Sequence, residues 1–334
     1  MTEARLLWFD NASGNVSERS VDELPACVED PSGWLWLDVP EPDAAVGAWL
    51  RDVFGLPLQA VESVLERNHV PRLYPVGGEV IFVVLHRPEP GELGHIHYLE
   101  LDQFVGPRYL ITTHGPRSAK VPLERLLVET DAVAERVLAG RLHATSPAEL
   151  SHRIVSRLIR AEEGLVNDLA RQVGLLEQKV MAHEGDQDPE GFLEDLFQAR
   201  HALLTIQTMA TQSAEIYGRA VRLSARTTGN MRKVIRDLQD QYDRVGRIAH
   251  SQLAFLGGVT EYYRARTDTR MTIAAERLAV IAAVTLPVTA ISSVMGMNVI
   301  VQEGMNWPWL VALVSLMATL SLVLLRWAKK HGWW

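Results

Sequence analysis

Three aspartates, Asp237, Asp240 and Asp243, recur at every third residue, a spacing that keeps carboxylates roughly on one face of a helix. Carboxylate oxygens are the natural ligands of hard divalent cations. The triplet therefore either faces solvent beside Arg236 and Arg244 or, in an oligomer, lines a contact between chains and binds a divalent ion there. A second acidic cluster, Glu184, Asp186, Asp188, Glu190 and Glu194, lacks the ligand spacing of an EF-hand and reads as a solvated turn. His95-Ile96-His97 places two imidazoles on one side of a strand, and a solvated strand face is the simpler reading than a metal site. His114, in Thr112-Thr113-His114-Gly115, has no evident acid or metal partner and is read as a loop residue. The strongest local signal is Gly296-Met297-Asn298: glycine lets the backbone turn where a helix must stop, and asparagine offers a neutral amide beside carbonyls. No GxGxxG, GxxxxGK[ST], HExxH or GxSxG occurs, so no enzymatic activity is expected. Cys27 is the only cysteine, which excludes an intramolecular disulfide or a cysteine-rich zinc site and fits a reducing cytosol.

Two charge-free runs dominate the C-terminal end. Leu278–Gln302 contains 25 residues without a formal charge and Gly304–Leu325 another 22, with Glu303 between them. Twenty apolar helical residues rise about 30 Å, the thickness of the hydrocarbon layer, so 278–297 and 307–325 are expected to span a membrane. The loop 298–306 is too short to hold a domain. Arg264, Arg266, Arg270 and Arg277 precede the first span and Arg326, Lys329 and Lys330 follow the second, whereas the loop has neither Lys nor Arg. The chain is thus expected to be a two-pass protein of the cell (plasma or inner) membrane with both termini cytoplasmic. MTEARLLWFD has no basic segment followed by an apolar one and is not read as a signal peptide. Trp307 and Trp309 at one end, and Trp327, Trp333 and Trp334 at the other, suit the two interfacial belts. The first span also has a face of small residues, including Ala275, Ala279, Ala282, Ala283, Thr289 and Ser293, which favours close helix packing and oligomerisation.

Before the spans, 334 residues leave room for more than one unit. Residues 1–100 carry 17 acidic and 6 basic side chains, a net of −11; residues 201–334 carry 8 and 15, a net of +7. Residues 1–144 read as a mixed α/β cytosolic domain with strands at 5–9, 34–39, 80–86, 95–104 and 109–113 and helices at 44–54, 58–66 and 123–139. Residues 145–229 read as an antiparallel helical hairpin opened by Ser146-Pro147-Ala148-Glu149, a capping box with proline at the first helical position. Residues 230–277 read as a stalk helix. No proline interrupts it before Pro287, so stalk and first span are expected to form one helix of about 100 Å at 1.5 Å per residue. Residues 326–334 form a basic tail.

In this order (α+β cytosolic domain, helical hairpin, long stalk, two C-terminal transmembrane helices and Gly296-Met297-Asn298 closing the first of them) the chain resembles the CorA family of magnesium channels. The resemblance implies a funnel-shaped homopentamer in which the first span of each subunit lines a central pore and Asn298 forms a ring at its outer entrance. Gly296, Met297 and Asn298 would then select the ion. Counting back from Gly296 by helical turns gives Ser293, Thr289, Leu286, Ala282, Leu278 and Ala275 as the pore-lining face, with Leu286 and Leu278 as apolar constrictions that gate by dewetting. Magnesium holds its six waters stubbornly, so a ring of amides suits the hydrated ion. The membrane potential supplies about 4.6 kcal/mol per 100 mV to a divalent cation, and no nucleotide or nucleic-acid partner is expected. The family's sensing of cytosolic magnesium through acidic residues between neighbouring cytosolic domains points to Asp237, then Asp240.

Two departures bear on selectivity: Met295 stands where relatives usually have an aromatic residue, and 299–306 lacks the family's usual acidic loop sequence. Glu303, the loop's sole charge, either attracts cations to the mouth or keeps the loop outside. Gly304-Met305-Asn306 repeats the motif within the loop and is read as a lead into the second span. The transported and regulatory ion is expected to be Mg2+, with Co2+, Ni2+ or Zn2+ as alternatives. A zinc or other transition-metal transporter of the same fold, or a non-transporting membrane-anchored stalk protein, are the competing readings.

Overall fold

A computed structural model describes residues 4–77, 79–116, 121–182, 188–223, 229–296 and 307–330. The chain divides into two compact units, Met1–Gly257 and Gly258–Trp334.

The first unit is built on a seven-stranded sheet: β1 (Arg5–Asp10), β2 (Val16–Arg19), β3 (Gly33–Val39), β4 (Arg72–Gly77), β5 (Val80–Pro90), β6 (Ile96–Val105) and β7 (Tyr109–His114), in the order β2-β1-β3-β7-β6-β5-β4. Neighbours are antiparallel except β3 and β7, which run parallel with Asp38 opposite Thr112. All seven residues of β3, Gly-Trp-Leu-Trp-Leu-Asp-Val, are buried, as a central strand covered on both faces must be. Leu35, Leu37 and Val39 join Leu6, Phe82, Phe104 and Ile111 beneath α1 (Leu24–Glu29), α2 (Ala44–Asp52) and α3 (Leu58–Leu65). Each such Leu or Phe contributes roughly 1.5–3 kcal/mol by leaving water. Cys27 is a free, buried member of this layer.

The other sheet face meets α5 (Val128–Leu138), which follows the short α4 (Leu123–Leu126), and α6 (Pro147–Met181). The expected single helix over 123–139 is broken at Leu127, whose φ of −88° and ψ of −5° interrupt it between α4 and α5. Ser146 Oγ accepts the N–H of Glu149 at 3.3 Å, while the Glu149 carboxylate takes the N–H and hydroxyl of Thr145. The capping box therefore closes one residue earlier than its sequence pattern implies. α7 (Pro189–Leu223) returns along the hairpin, and the Asp188 carboxylate of the acidic cluster accepts the Gly191 N–H at 3.1 Å, so it caps a helix. Glu184 and Asp186 lie outside the described residues.

Stalk and first apolar span form one helix, α8 (Gly229–Gly296), with Pro287 inside it. The second unit consists of the C-terminal part of α8 and α9 (Trp307–Lys330). Both helices are long and apolar enough to cross a membrane. β2, β4 and α1 are elements the sequence pattern did not announce.

Candidate functional site

The site is assembled from the end of α8, where the residues themselves dictate an unusual surface. Leu278 and Leu286 are 67% and 65% exposed, and Ala275, Ala282, Thr289, Ser293 and Gly296 are exposed too. The same helix has a covered stripe: Val280 is buried, and Val284, Pro287, Val288 and Ile291 are half-buried. At 3.6 residues per turn the two sets sit on nearly opposite sides of the helix. α9 repeats the pattern, with Leu313, Met317, Leu320, Ser321 and Leu324 half-buried and Ala328 buried among exposed neighbours. Large apolar residues left uncovered over two adjacent helices require lipid or other protein around them.

Local chemistry refines this exposed face. Thr285 Oγ1 donates to the carbonyl of Ile281 and Thr289 Oγ1 to that of Thr285, each at 2.8 Å. Their hydroxyl hydrogens are committed to the preceding turn, so toward the outside the oxygens can only accept. Pro287 has no N–H to offer the carbonyl of Ala283 one turn earlier, which leaves a backbone acceptor without its helical partner. Gly296 is the last residue of α8; Met297, Asn298 and Glu303 lie outside the described residues.

On the stalk portion of α8, Asp237 and Asp240 are both exposed. Asp237 Oδ2 is 2.6 Å from His152 Nε2 of α6 and accepts from Gln241 Nε2 at 2.7 Å. The His152 contact, against the opposing effect of partial burial and with the aid of Gln241, holds the Asp237 carboxyl below its usual range. Asp243 is half-buried, and Arg244 pairs with Glu163 at 3.3 Å. Among the described residues of one chain no three His, Cys, Asp or Glu side chains converge as a metal site. His95 precedes β6 instead of lying in it, and its ring meets that of His97 edge-on at 4.8 Å.

His114 overturns its reading as a loop residue. It ends β7, is 1% exposed, and its Nε2 lies 3.2 Å from Asp38 Oδ1 and 3.3 Å from Thr130 Oγ1. Thr112 donates to the same Asp38 oxygen at 2.5 Å and accepts from Trp36 Nε1 at 2.9 Å. Burial alone would raise the Asp38 carboxyl, but His114 and the hydroxyls outweigh it and hold it below the usual range. The partner lies 76 residues away, beyond the reach of any local pattern. His152 escaped notice for the same reason, standing 85 residues from Asp237.

A family model described as CorA-like Mg2+ transporter protein matches residues 31–330. The fold is similar to the complete structure of the CorA magnesium transporter from Methanocaldococcus jannaschii (TM-score 0.79, 13% identity, 100% of this chain and 99% of that one). It is similar to the full-length CmaX protein (TM-score 0.73, 18% identity, 98% and 97%). The cytoplasmic domain of ZntB from Vibrio parahaemolyticus RIMD 2210633 matches at TM-score 0.62 and 14% identity, over 80% of this chain and all of that one. At these identities the likeness is one of fold. No curated protein sequence matches this chain.

Proposed function

The chain belongs to the CorA-like Mg2+ transporter family, and from that premise we propose that it is a channel carrying divalent cations, foremost Mg2+, into the cytosol down their electrochemical gradient. Five copies surround one pore, each contributing the face of α8 formed by Ala275, Leu278, Ala282, Leu286, Thr289 and Ser293. Gly296, Met297 and Asn298 form the selective outer mouth, and Glu303 concentrates cations before it. Both termini are cytoplasmic. The observation that carries the reading is the placement of that face on α8: it is uncovered within the chain, while the stripe across the helix from it is covered.

The chemistry supports this reading. A hydrated divalent cation presents water hydrogens outward, so a pore wall must accept hydrogen bonds. Thr289, with its hydrogen tied to the Thr285 carbonyl, offers an acceptor, as the side-chain oxygen of Asn298 does. Leu278 and Leu286 narrow the path with apolar surface that empties of water when the pore tightens. The potential contributes about 4.6 kcal/mol per 100 mV to a doubly charged ion, enough to drive uptake without a coupled reaction. Cytosolic Mg2+ at Asp237 and Asp240, between neighbouring copies, stabilises the closed state.

Reconstitution in liposomes, with Mg2+, Co2+, Ni2+ and Zn2+ each offered separately, tests the proposal. Wild-type vesicles are expected to admit Mg2+, and Asn298→Ala is expected to abolish the flux. Vesicles impermeable to all four ions, a monomeric protein in mild detergent, or full flux through Asn298→Ala would each overturn it. Preference for Zn2+ over Mg2+ would keep the channel and replace the ion.

A further inference from the structure

The first unit contains a cavity of about 420 Å³ whose wall is formed by α5, α6 and the stalk part of α8, within the range of small-molecule sites. Its charged lining is all of one sign. Arg153, Arg157 and Arg160 recur at four- and three-residue spacing on α6, and Arg136 reaches in from α5. No Asp or Glu is among the described residues that line it.

Like charges at such spacing repel along a helix, so the arrangement costs stability unless something compensates it. Several carboxylates of the surrounding elements are engaged with other groups, Glu129 also acting through space on Arg157. Asp131 pairs with Arg5 at 2.9 Å, Glu129 with Arg87 at 3.4 Å, and Glu163 with Arg244. Glu149 takes the N–H and hydroxyl of Thr145 and one nitrogen of Arg153, and Asp237 is held by His152 and Gln241. Arg157 is half-buried, and its Nε is enclosed with no hydrogen-bond partner among the described residues. An enclosed guanidinium nitrogen left unpaired points to a missing acceptor. Ser156 and Gln241 are also in the wall, with Gln241 Nε2 donating to Asp237 Oδ2 at 2.7 Å and to Ser156 Oγ at 3.3 Å.

We propose that this cavity is a binding site for a small phosphate-bearing anion, one per chain, held by Arg136, Arg153, Arg157 and Arg160. Planar guanidinium forks match phosphate oxygens two at a time. Four guanidinium charges, less the Glu149 carboxylate that shares Arg153, suit a ligand carrying two or three negative charges. The site belongs to the first unit and stands whether or not the apolar end of α8 conducts ions.

The test is calorimetric titration of sodium pyrophosphate into the purified full chain in detergent, with magnesium chelated and about 150 mM NaCl present to screen diffuse surface attraction. Saturable binding of one pyrophosphate per chain is expected, displaced by orthophosphate and weakened at least tenfold in Arg157→Gln/Arg160→Gln. Arg136→Gln, on the exposed side of α5, is expected to weaken binding with no loss of thermal stability, which separates a ligand contact from a folding defect. Arg171→Gln, elsewhere on α6, is expected to bind as wild type does. Absence of saturable binding, or wild-type affinity in the double and Arg136 variants, overturns the proposal. It is equally overturned if wild type ignores pyrophosphate while the double variant changes the oligomer's mass, because the pocket would then hold a neighbouring copy's carboxylates.

Discussion

Replacing Glu162 by glutamine changes how the stability of the first unit depends on pH. Glu162 lies on α6 at 0% exposure, and neither carboxyl oxygen has a hydrogen-bond partner among the described residues. It is sealed in by the helical core that also holds Tyr217 of α7 and Tyr242 of α8, whose rings stack at 5.9 Å. Burial pushes its carboxyl well above the usual 4.5, because a charge there would lose its hydration and gain nothing in return. Below pH 4.5 the group is protonated in both folded and unfolded chains and has no effect. Above it the unfolded chain ionises while the folded chain keeps its proton, so folding grows costlier as pH rises, by about 1.4 kcal/mol per pH unit until the folded value is reached. Glutamine fills the same space without titrating. Over the pH interval just above 4.5 the stability advantage of Glu162→Gln over wild type should therefore grow with pH, by about 1.4 kcal/mol per unit while the folded group keeps its proton, worth about 3–5 °C in a unit of this size. Differential scanning fluorimetry of both proteins in detergent across that interval measures it. Parallel melting curves for the two proteins would refute the reasoning, since they would mean Glu162 ionises in the fold as freely as outside it.

His114→Ala is expected to cost about 1–3 kcal/mol, because it takes one hydrogen-bond partner from the buried Asp38 carboxylate and leaves it to the hydroxyls; melting temperature measures this, and an unchanged value would dismiss the pair. Since the Asp38 carboxyl is held below its ordinary 3.8, its contribution is present above that pH and fades as pH falls through the folded value, so the deficit of His114→Ala should shrink in acid. Asp237→Ala should leave Mg2+ uptake poorly inhibited by internal Mg2+ in reconstituted vesicles; inhibition equal to wild type removes Asp237 from the sensor.

What could be read from the sequence, and what could not, follows the reach of each interaction. The five strands expected from apolar runs are the five interior strands of the sheet. The two that gave no signal, β2 and β4, are its two edges. β2 is Val-Ser-Glu-Arg with no buried residue, and β4 carries Pro75, the composition by which edges resist further pairing and by which they cease to look like strands. The stalk's continuity was legible because a helix needs only the absence of a breaker, and the apolar spans because lipid demands a run of fixed length. The His114–Asp38 pair and the arginine cavity were not legible. Each depends on residues from separate elements meeting on a face of the sheet or between helices, and no local spacing encodes that meeting.

The membrane-spanning part of α8 shows the same division within a single helix. Hydropathy identifies the segment but says nothing about its sides, since lipid is as apolar as the residues it touches and provides no hydrophobic drive to turn one face inward. Side-chain shape carries that information instead. The covered stripe is built mainly from β-branched Val280, Val284, Val288 and Ile291, stiff residues that fill space against a neighbour with little loss of rotamer freedom. The exposed face alternates Ala275, Ala282, Thr289 and Ser293 with Leu278 and Leu286, small residues that admit close approach and two bulky ones that obstruct. The channel proposed above would use both features, the hydroxyl oxygens as acceptors along a water-filled path and the two leucines as its narrow points.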